Sequence, residues 1–508
     1  MGKGVLIIGG GVAGIQAALD LAEARVQVML VERSPSLGGR MAQLDKTLPT
    51  NDCSICILSP NLVAAARHPN IKILTHSEVT QVEGEEGDFR VTVRRHPRYV
   101  DEEKCVGCGE CAKVCPVTLP NVFDMGLGSR KAIYSPFPQA SPNTYIIDRQ
   151  HCLNRDGFLT CENCAKVCEP KAIDYDMPPR DLTLDVGAVI VATGYDEFDP
   201  RTLGRYGYGV FENVLTGLEF ERLLNAAGPT GGHVIRPTDR KIPRSIFFIQ
   251  CAGSRDQKVN PFCSRICCAY AIKQCMIAKD HEPTIQDFYL AYMDLRTYGK
   301  GFEEYALRGK SETGIKFIRG NPSKIIEQKD TRNLLIFVEN AETGRPQQIE
   351  AEMVVLSSAM VSSENVRSLA QVLGVEVDQH GFFKQRHINF EPIGSTRPGI
   401  FLCGCAECPK DIPDSVAQAS ACAAQAAQYV KDERVEETPL EVTPIDTSGE
   451  PRIGVFVCHC GLNIGGVVDC PGVADYARGL PNVVYATDNL FTCSAETQRK
   501  IQELIREH

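Results

Sequence analysis

The residues in this sequence best equipped for chemistry are its cysteines, and their spacing says which chemistry. Cys105-x2-Cys108-x2-Cys111-x3-Cys115-Pro116 is followed by Cys152-x8-Cys161-x2-Cys164-x3-Cys168, with Pro170 just beyond. Three cysteines close together in a loop wrap three corners of a cubane, and the fourth, at the start of a helix, reaches the neighbouring cluster. The spacing therefore predicts two [4Fe–4S] clusters with crossed ligand sets. Cys105, Cys108, Cys111 and Cys168 hold one; Cys152, Cys161, Cys164 and Cys115 hold the other. Zinc knuckles are the alternative, but they favour C-x2-C pairs separated by longer spacers, not a run of four ending in Cys-Pro. The long Cys152–Cys161 gap lengthens a loop without removing a ligand.

A nucleotide site opens the chain. The apolar run Val5-Leu6-Ile7-Ile8 reads as a buried strand and is followed by Gly9-x-Gly11-x-x-Gly14 and a helix through Ile15, Ala18, Leu19 and Leu21. Such glycines permit a tight turn, let the backbone approach a pyrophosphate, and let the helix pack closely on the strand. The glycine pattern alone is weak evidence. Support comes from a second strand, Val26–Val31, ending in Glu32 at the position that bonds a ribose hydroxyl. Gly38-Gly39-Arg40 then resembles the second pyrophosphate contact of FAD-binding flavoproteins, so FAD is expected over NAD. Val186–Val191 leads into Ala192-Thr193-Gly194, similar to the return strand of two-dinucleotide-domain flavoproteins, and Arg397–Gly404 resembles their last flavin motif. Cys405 stands where an Asp commonly bonds the ribityl chain; Asp411 or Asp414 is the candidate substitute.

A second α/β unit is predicted over 244–360, with strands at Ser245–Gln250, Ile285–Tyr292, Leu334–Val338 and Met353–Ser357. Its first turn lacks the glycines a nicotinamide dinucleotide needs. It carries Cys251, then Cys263, Cys267 and Cys268. Cys263 and Cys267 are one helical turn apart, and Cys251 and Cys268 complete a noncubane or distorted cubane set; four buried thiols are the plainer reading. Two more readings divide. Cys53-x2-Cys56 is either a redox-active pair against the flavin or a structural turn beneath it. Lys273, two turns beyond Cys267, is either a cation near the flavin ring or simply solvated. Cys458, Cys460, Cys470 and Cys493 share one small domain and are candidates for another cluster. Cys275, Cys403, Cys405, Cys408 and Cys422 have no assigned role.

Several long segments resemble the A subunit of heterodisulfide reductase. They are Thr50-Asn51-Asp52-Cys53-Ser54-Ile55-Cys56, Asn260-Pro261-Phe262-Cys263-Ser264-Arg265-Ile266-Cys267-Cys268, Met293-Asp294-Leu295-Arg296 with Gly299–Glu304, and Pro409–Ala419. The likeness spans nearly the whole chain. One departure is that the segment beginning Gly454-Val455-Phe456-Val457-Cys458-His459-Cys460-Gly461 resembles a domain that usually precedes the flavin domain, yet here it comes last, as in a truncated product or the first part of a tandem fusion. The resemblance implies an electron-bifurcating FAD component of a cytoplasmic complex. Its partners would be B- and C-type subunits, an electron-input component of hydrogenase or formate dehydrogenase type, and ferredoxin.

The expected fold is α/β: a thioredoxin-reductase-like two-dinucleotide-domain flavoprotein with an inserted two-cluster ferredoxin module and a small C-terminal α/β domain. Its expected divisions are an FAD-binding domain over 1–94, 182–243 and 361–438, the ferredoxin insertion over 95–181, and the degenerate nicotinamide-type unit over 244–360. A linker at 439–451 and the small cysteine-containing domain at 452–508 complete it. A net charge of −10 without a basic stripe disfavours nucleic acid. No export signal and no membrane-spanning apolar run is evident, and 23 cysteines in a reducing compartment favour metal and redox chemistry over disulfides. Two rivals remain: an NAD(P)H-dependent flavoprotein like the small subunit of glutamate synthase, and a non-bifurcating electron-wiring component of a quinone-interacting complex. Cys251–Cys268 in place of a glycine turn opposes the first, and the ferredoxin insertion opposes the second.

Overall fold

A computed structural model describes residues 3–155, 158–432, 435 and 448–508. The chain begins with β1 (Gly4–Ile8), α1 (Val12–Glu23), β2 (Val28–Val31), α2 (Ser54–Arg67) and β3 (Ile71–Leu74), followed by an antiparallel pair, β4 (Ser77–Glu85) and β5 (Asp88–Arg95). Every residue of β1 is buried, as expected of a parallel strand covered on both faces. Next in this sheet comes β6 (Arg180–Val191), whose start pairs antiparallel with β5, Arg95 facing Arg180. The intervening segment therefore leaves and re-enters at one end of two adjacent strands, which is what makes it an insertion. Its own interior is small: Val100, Ile133, Ile147 and Ala172 are buried with Cys111 and Cys164.

The second unit comprises β7 (Val214–Thr216), α3 (Gly217–Leu224), β8 (Ser245–Ala252), α4 (Cys267–His281), β9 (Asp287–Tyr292), β10 (Lys316–Arg319) and β11 (Met353–Ser358). Its strands form a parallel sheet in the order β7-β11-β8-β9-β10. Residues of the predicted strand Leu334–Val338 lie instead in a separate antiparallel sheet, Lys324–Glu327, Leu334–Asn340 and Arg345–Ala351. The chain then returns to the first sheet with β12 (Ile400–Leu402), parallel beside β6, giving the parallel order β3-β2-β1-β6-β12. Next, α5 (Ile412–Ala426) starts at Asp411, whose carboxylate accepts the Asp414 N–H at 2.8 Å, and packs against α1 through Ser420 Oγ donating to Asp20 at 2.6 Å. Most of the expected linker, 439–447, lies outside the described residues.

The last domain has β13 (Ile453–Cys458), α6 (Cys470–Arg478), β14 (Val483–Asn489) and α7 (Ala495–Glu507), with β13 and β14 parallel. Among the described residues no helix is long and apolar enough to cross a membrane.

Candidate flavin site and cysteine clusters

Ligands of doubly wound sheets bind outside the carboxyl ends of the parallel strands, and a cavity of about 580 Å³ opens there, within the ~300–1,000 Å³ range of cofactor sites. At its phosphate end Gly9 has φ +111°, and a Cβ there would stand 2.3 Å from the Ala192 carbonyl oxygen. A Cβ on Gly14 would meet the Gly9 carbonyl oxygen at 1.9 Å, so this glycine serves the packing of α1 on β1. Gly11 differs: a Cβ there would meet nothing nearer than 4.0 Å. Its bareness faces the cavity, which is what a pyrophosphate requires. Gly38 and Gly39, at φ +126° and +54°, turn the chain back toward Gly11. Glu32 lines the cavity and accepts the Gly10 N–H at 2.6 Å and the Ser34 N–H at 2.7 Å. Held at the rim of the glycine turn, it can take a ribose hydroxyl.

Farther along, the wall contains Arg40, Thr193, Gly194, Gly404 and Asp411. Arg40 is paired with Asp196 at 3.1 Å. Thr193 Oγ1 is buried with no protein partner, and such an atom facing a cavity asks for a ligand. Cys405 also lines it, its thiol donating to the Lys410 carbonyl oxygen at 3.4 Å. The donor set, the bare turn and the orphaned hydroxyl together fit a dinucleotide such as FAD.

At the inner end stands Lys273 of α4, buried and lining the cavity. Its Nζ lies 2.7 Å from Glu221 Oε1 and donates to the Lys46 carbonyl oxygen at 2.7 Å. Glu221 also accepts from Gln274 at 2.9 Å and from the Asp45 N–H at 3.0 Å. Glu221 and Asp45 are the residues sequence reasoning missed. The available signal was Glu221-Arg222 interrupting the buried apolar run of α3. Burial, and then the Glu221 charge, push the Asp45 carboxyl up to about 6.

Two inserted structures wall the same cavity. The ferredoxin segment contributes Asn121, Val122, Phe123, Arg130, Tyr134 and Phe137, and α4 contributes Tyr270 and Lys273, just past Cys267 and Cys268.

Within the ferredoxin segment, a void of about 20 Å³ is lined by Cys115, Cys152, Cys161 and Cys164. The first of these comes from the other motif. Burial raises the Cys152 and Cys164 thiols, with Cys115 and Cys161 adding to the rise in each. Burial likewise pushes Cys111 up to about 12, with Cys105, Cys164 and Cys108 contributing. Cys168 accepts the Ala172 N–H at 3.3 Å.

At the second turn, β8 carries a bulge between Ile249 and Ala252, and Cys251 sits on it at φ +58°, a region that disfavours side chains. The bulge brings its sulfur to α4, where Cys267 shares its S–H with both Cys251 and Cys268. Donation from Cys267 draws Cys251 down to about 7, opposed by burial and aided by Arg255. Cys268 is lowered by the same donor. Cys263 lies in the loop before α4, not one helical turn from Cys267 as the spacing predicts, and accepts the Arg265 N–H at 3.3 Å.

Cys53 and Cys56 do not line the flavin cavity. Cys53 caps α2 and is brought down to about 7, first by the Cys56 thiol and, against burial, by the Cys56 and Ile55 N–H groups. The neighbours of Cys56 include Cys460 and Cys493 of the last domain. In that domain burial pushes Cys460 up to about 12, with Cys458, Cys53 and Cys493 adding to it. Cys470 is turned inward, fully buried and donating to the carbonyl oxygens of Val468 and Cys458 at 3.5 and 3.6 Å. Among the described residues no three Cys, His, Asp or Glu side chains converge on one point as ligands of a single ion would, in the ferredoxin segment or elsewhere.

Residues 4–51 match the family model for FAD dependent oxidoreductases, and residues 98–117 match the 4Fe-4S binding domain. The chain is 52% identical over 422 residues to the iron-sulfur A subunit of the CoB–CoM heterodisulfide reductase of Methanocaldococcus jannaschii, covering 83% of this chain and 63% of that protein. It is 45% identical over 458 residues to the A subunit of the H(2):CoB-CoM heterodisulfide,ferredoxin reductase of Methanothermobacter marburgensis, covering 90% and 68%. This chain belongs to the family of heterodisulfide reductase A subunits. FAD and iron–sulfur clusters are accordingly its cofactors. It spans somewhat under two thirds of the length of the Methanocaldococcus relative. A Lactococcus lactis thioredoxin reductase aligns with a TM-score of 0.47 at 15% identity, covering 85% of this chain and 99% of that one. The two-dinucleotide-domain fold stands on the sheet orders above and on the family.

Proposed function

We propose that this chain is the FAD and iron–sulfur electron-transfer component of a heterodisulfide reductase-like complex. It takes electron pairs at the flavin and sends single electrons out along separate branches, one toward a disulfide-reducing partner and one toward ferredoxin. The observation carrying this reading is that both the ferredoxin segment and the helix beginning Cys267-Cys268 form walls of the flavin cavity. Bound there, FAD supplies the exchange between electron pairs and single electrons. The protein's residues do the rest. Gly9, Gly11 and Gly39 admit the pyrophosphate, and Glu32 takes the ribose. Lys273, ion-paired with Glu221, keeps an ammonium N–H donor at the inner end of the cavity, where it can hydrogen-bond a reduced ring.

Two [4Fe–4S] clusters in the ferredoxin segment, with the crossed ligands set out above, and one further cluster at Cys251, Cys263, Cys267 and Cys268 complete the wiring. The Methanococcus maripaludis relative, 49% identical over 426 residues, is named as the A subunit of an H(2)/formate:CoB-CoM heterodisulfide,ferredoxin reductase. That name supports a hydrogenase or formate dehydrogenase as donor, ferredoxin as one acceptor, and B- and C-type subunits on the disulfide branch. Anaerobic affinity purification from the native host tests this. B- and C-type subunits with either donor are expected to co-purify, and the assembled complex is expected to reduce ferredoxin only while a disulfide is also being reduced. Ferredoxin reduction without a disulfide acceptor would remove the bifurcating part of the reading. Purification as a partnerless NAD(P)H oxidoreductase would remove the whole.

A further inference from the structure

We propose that Glu197 is the proton-exchanging group of the flavin site: its carboxylate takes up a proton when electrons enter bound FAD and releases it when they leave. The proposal goes beyond the electron-transfer reading above and rests on it only in placing FAD in this cavity.

Placement comes first. The chain crosses between the two units twice, and the crossings pair as a short antiparallel ribbon, Asp196–Glu197 with Met360–Val361, in which Glu197 is opposite Met360. Both of these residues line the cavity, together with Thr193 and Gly194 just before the ribbon and Gly217, Leu218 and Tyr270 of the second unit. Glu197 is half-buried, and it stands in the cavity wall. Bound FAD would cut it off from bulk water.

Its hydrogen bonds come from neutral groups. Glu197 Oε2 accepts from Thr216 Oγ1 at 2.8 Å, and Oε1 accepts the Leu218 N–H at 3.3 Å. Thr216, the cap of α3, also holds a second carboxylate: its N–H donates to Glu219 Oε2 at 2.7 Å, while Glu219 Oε1 accepts from Tyr208 Oη at 2.9 Å. Two carboxylates thus hang on one residue. The cation that faces Glu197 is Arg40, and it is already paired with Asp196 at 3.1 Å. Like charges so placed, away from water, favour retention of a proton. Burial pushes the Glu197 carboxyl up to about 7; the Thr216 hydroxyl opposes the rise, Glu219 adds to it, and Leu218 and Arg40 oppose it. Burial raises Glu219 as well. The phenols of Tyr195, Tyr208 and Tyr270, which also face Glu197, are raised by burial and stay neutral near that pH.

The proton balance follows from charge. Two electrons entering an oxidised flavin bring one proton to ring nitrogen N5 and leave one negative charge on the ring. Lys273 does not cancel that charge, because it is ion-paired with Glu221. A negative charge beside a poorly solvated carboxylate favours its neutral form, so Glu197 forms an O–H bond with a second proton, drawn from solvent. When the electrons leave, that bond breaks and the proton returns. The electrons are those of the two-electron donor in the reading above, and Glu197 itself is neither oxidised nor reduced.

The test is an anaerobic spectroelectrochemical titration of FAD in the full chain between pH 7 and 8.5. Two protons per electron pair make the midpoint potential fall twice as steeply with pH as the single proton at N5 does, and the steeper slope is expected in the wild type. Glu197→Gln is expected to halve it while FAD stays bound. A steep slope that survives in this variant assigns the second proton elsewhere and overturns the proposal. So does a one-proton slope across the whole range in the wild type, a measurement that needs no variant. Should Glu197→Gln fold badly, Thr216→Val decides: without the hydroxyl that favours the carboxylate, the steep region is expected to move to higher pH, and an unmoved region overturns the proposal. Absence of FAD from the wild-type chain would remove the site itself, and the proposal with it.

Discussion

The turn between β1 and α1 and the turn between β8 and α4 occupy equivalent places in two parallel sheets, yet they are built from opposite materials. At the first, Gly9, Gly11 and Gly14 leave bare backbone facing a cavity. At the second, a bulge turns Cys251 into left-handed backbone so that its sulfur meets Cys267 and Cys268 at the helix start. Arg255, which follows at φ +56°, is tied to Asp294. Strand, turn and helix are alike while the side chains of the turn differ, bare at one and thiol-bearing at the other. A fold of this kind fixes where a ligand would sit, and the side chains of one turn decide whether a pyrophosphate can approach it.

The sharpest way to break the comparison is to make the first turn resemble the second. Gly11→Val adds a side chain where the turn has room and a pyrophosphate does not, so FAD affinity is expected to fall on the order of 100-fold, about 3 kcal/mol of steric cost. Iron content is expected to be unchanged, and flavin fluorescence after gel filtration, with iron assayed on the same fractions, checks both sides of the claim. Retention of FAD would mean that the pyrophosphate does not pass Gly11.

On the second helix, Lys273→Met leaves Glu221 buried without its cation, at an expected cost of about 3–5 kcal/mol. Adding Glu221→Gln is expected to return most of it. Thermal unfolding of the two variants measures the coupling; equal losses in both would show that α4 does not balance this charge.

The second turn itself is expected to exclude nicotinamides. Stopped-flow mixing of the anaerobic chain with NADH or NADPH is expected to bleach the flavin at less than about a hundredth of the rate given by the physiological donor, because bound dinucleotide without hydride geometry gives no turnover. Rapid bleaching by either would erase the difference between the two turns.

The smallest effect lies at the seam between them. Asp45 faces Glu221, Lys273, Lys46 and Asn463 and is held protonated up to about pH 6. Between its ordinary pKa near 4 and that value the native state binds more protons than the unfolded one, so stability falls as pH rises through this window and levels off above it. Asp45→Asn is expected to flatten that slope and to be more stable than wild type at pH 8 by about 1–3 kcal/mol, with little difference at pH 4. Melting temperatures across pH 4–8 measure it.

What the sequence by itself determined was everything whose parts lie within one turn or one loop. The spacing Gly9-x-Gly11-x-x-Gly14 fixes a strand-turn-helix because Gly9 and Gly14 meet atoms only a few residues away or at the end of the adjoining strand, while Gly11 stays bare. The close triplet Cys105–Cys111 marks a cluster loop because three candidate ligands arrive together, and it lies in the stretch that matches the 4Fe-4S binding domain; Cys161 and Cys164 are only a pair, with Cys152 an eight-residue gap away. Tertiary structure alone decided what must come from far apart. Glu221 reaches Lys273 because α3 and α4 pack side by side, and Asp45 joins them from a third segment. Cys53 and Cys56 lie within electrostatic reach of Cys460 and Cys493 from opposite ends of the chain, which the grouping of Cys458, Cys460, Cys470 and Cys493 by proximity in sequence does not anticipate. Cys470 is turned into the domain interior because α6 packs on β13 and β14. A periodic pattern records which face of a helix is buried, but not which other face it is buried against, and that choice belongs to the packed chain.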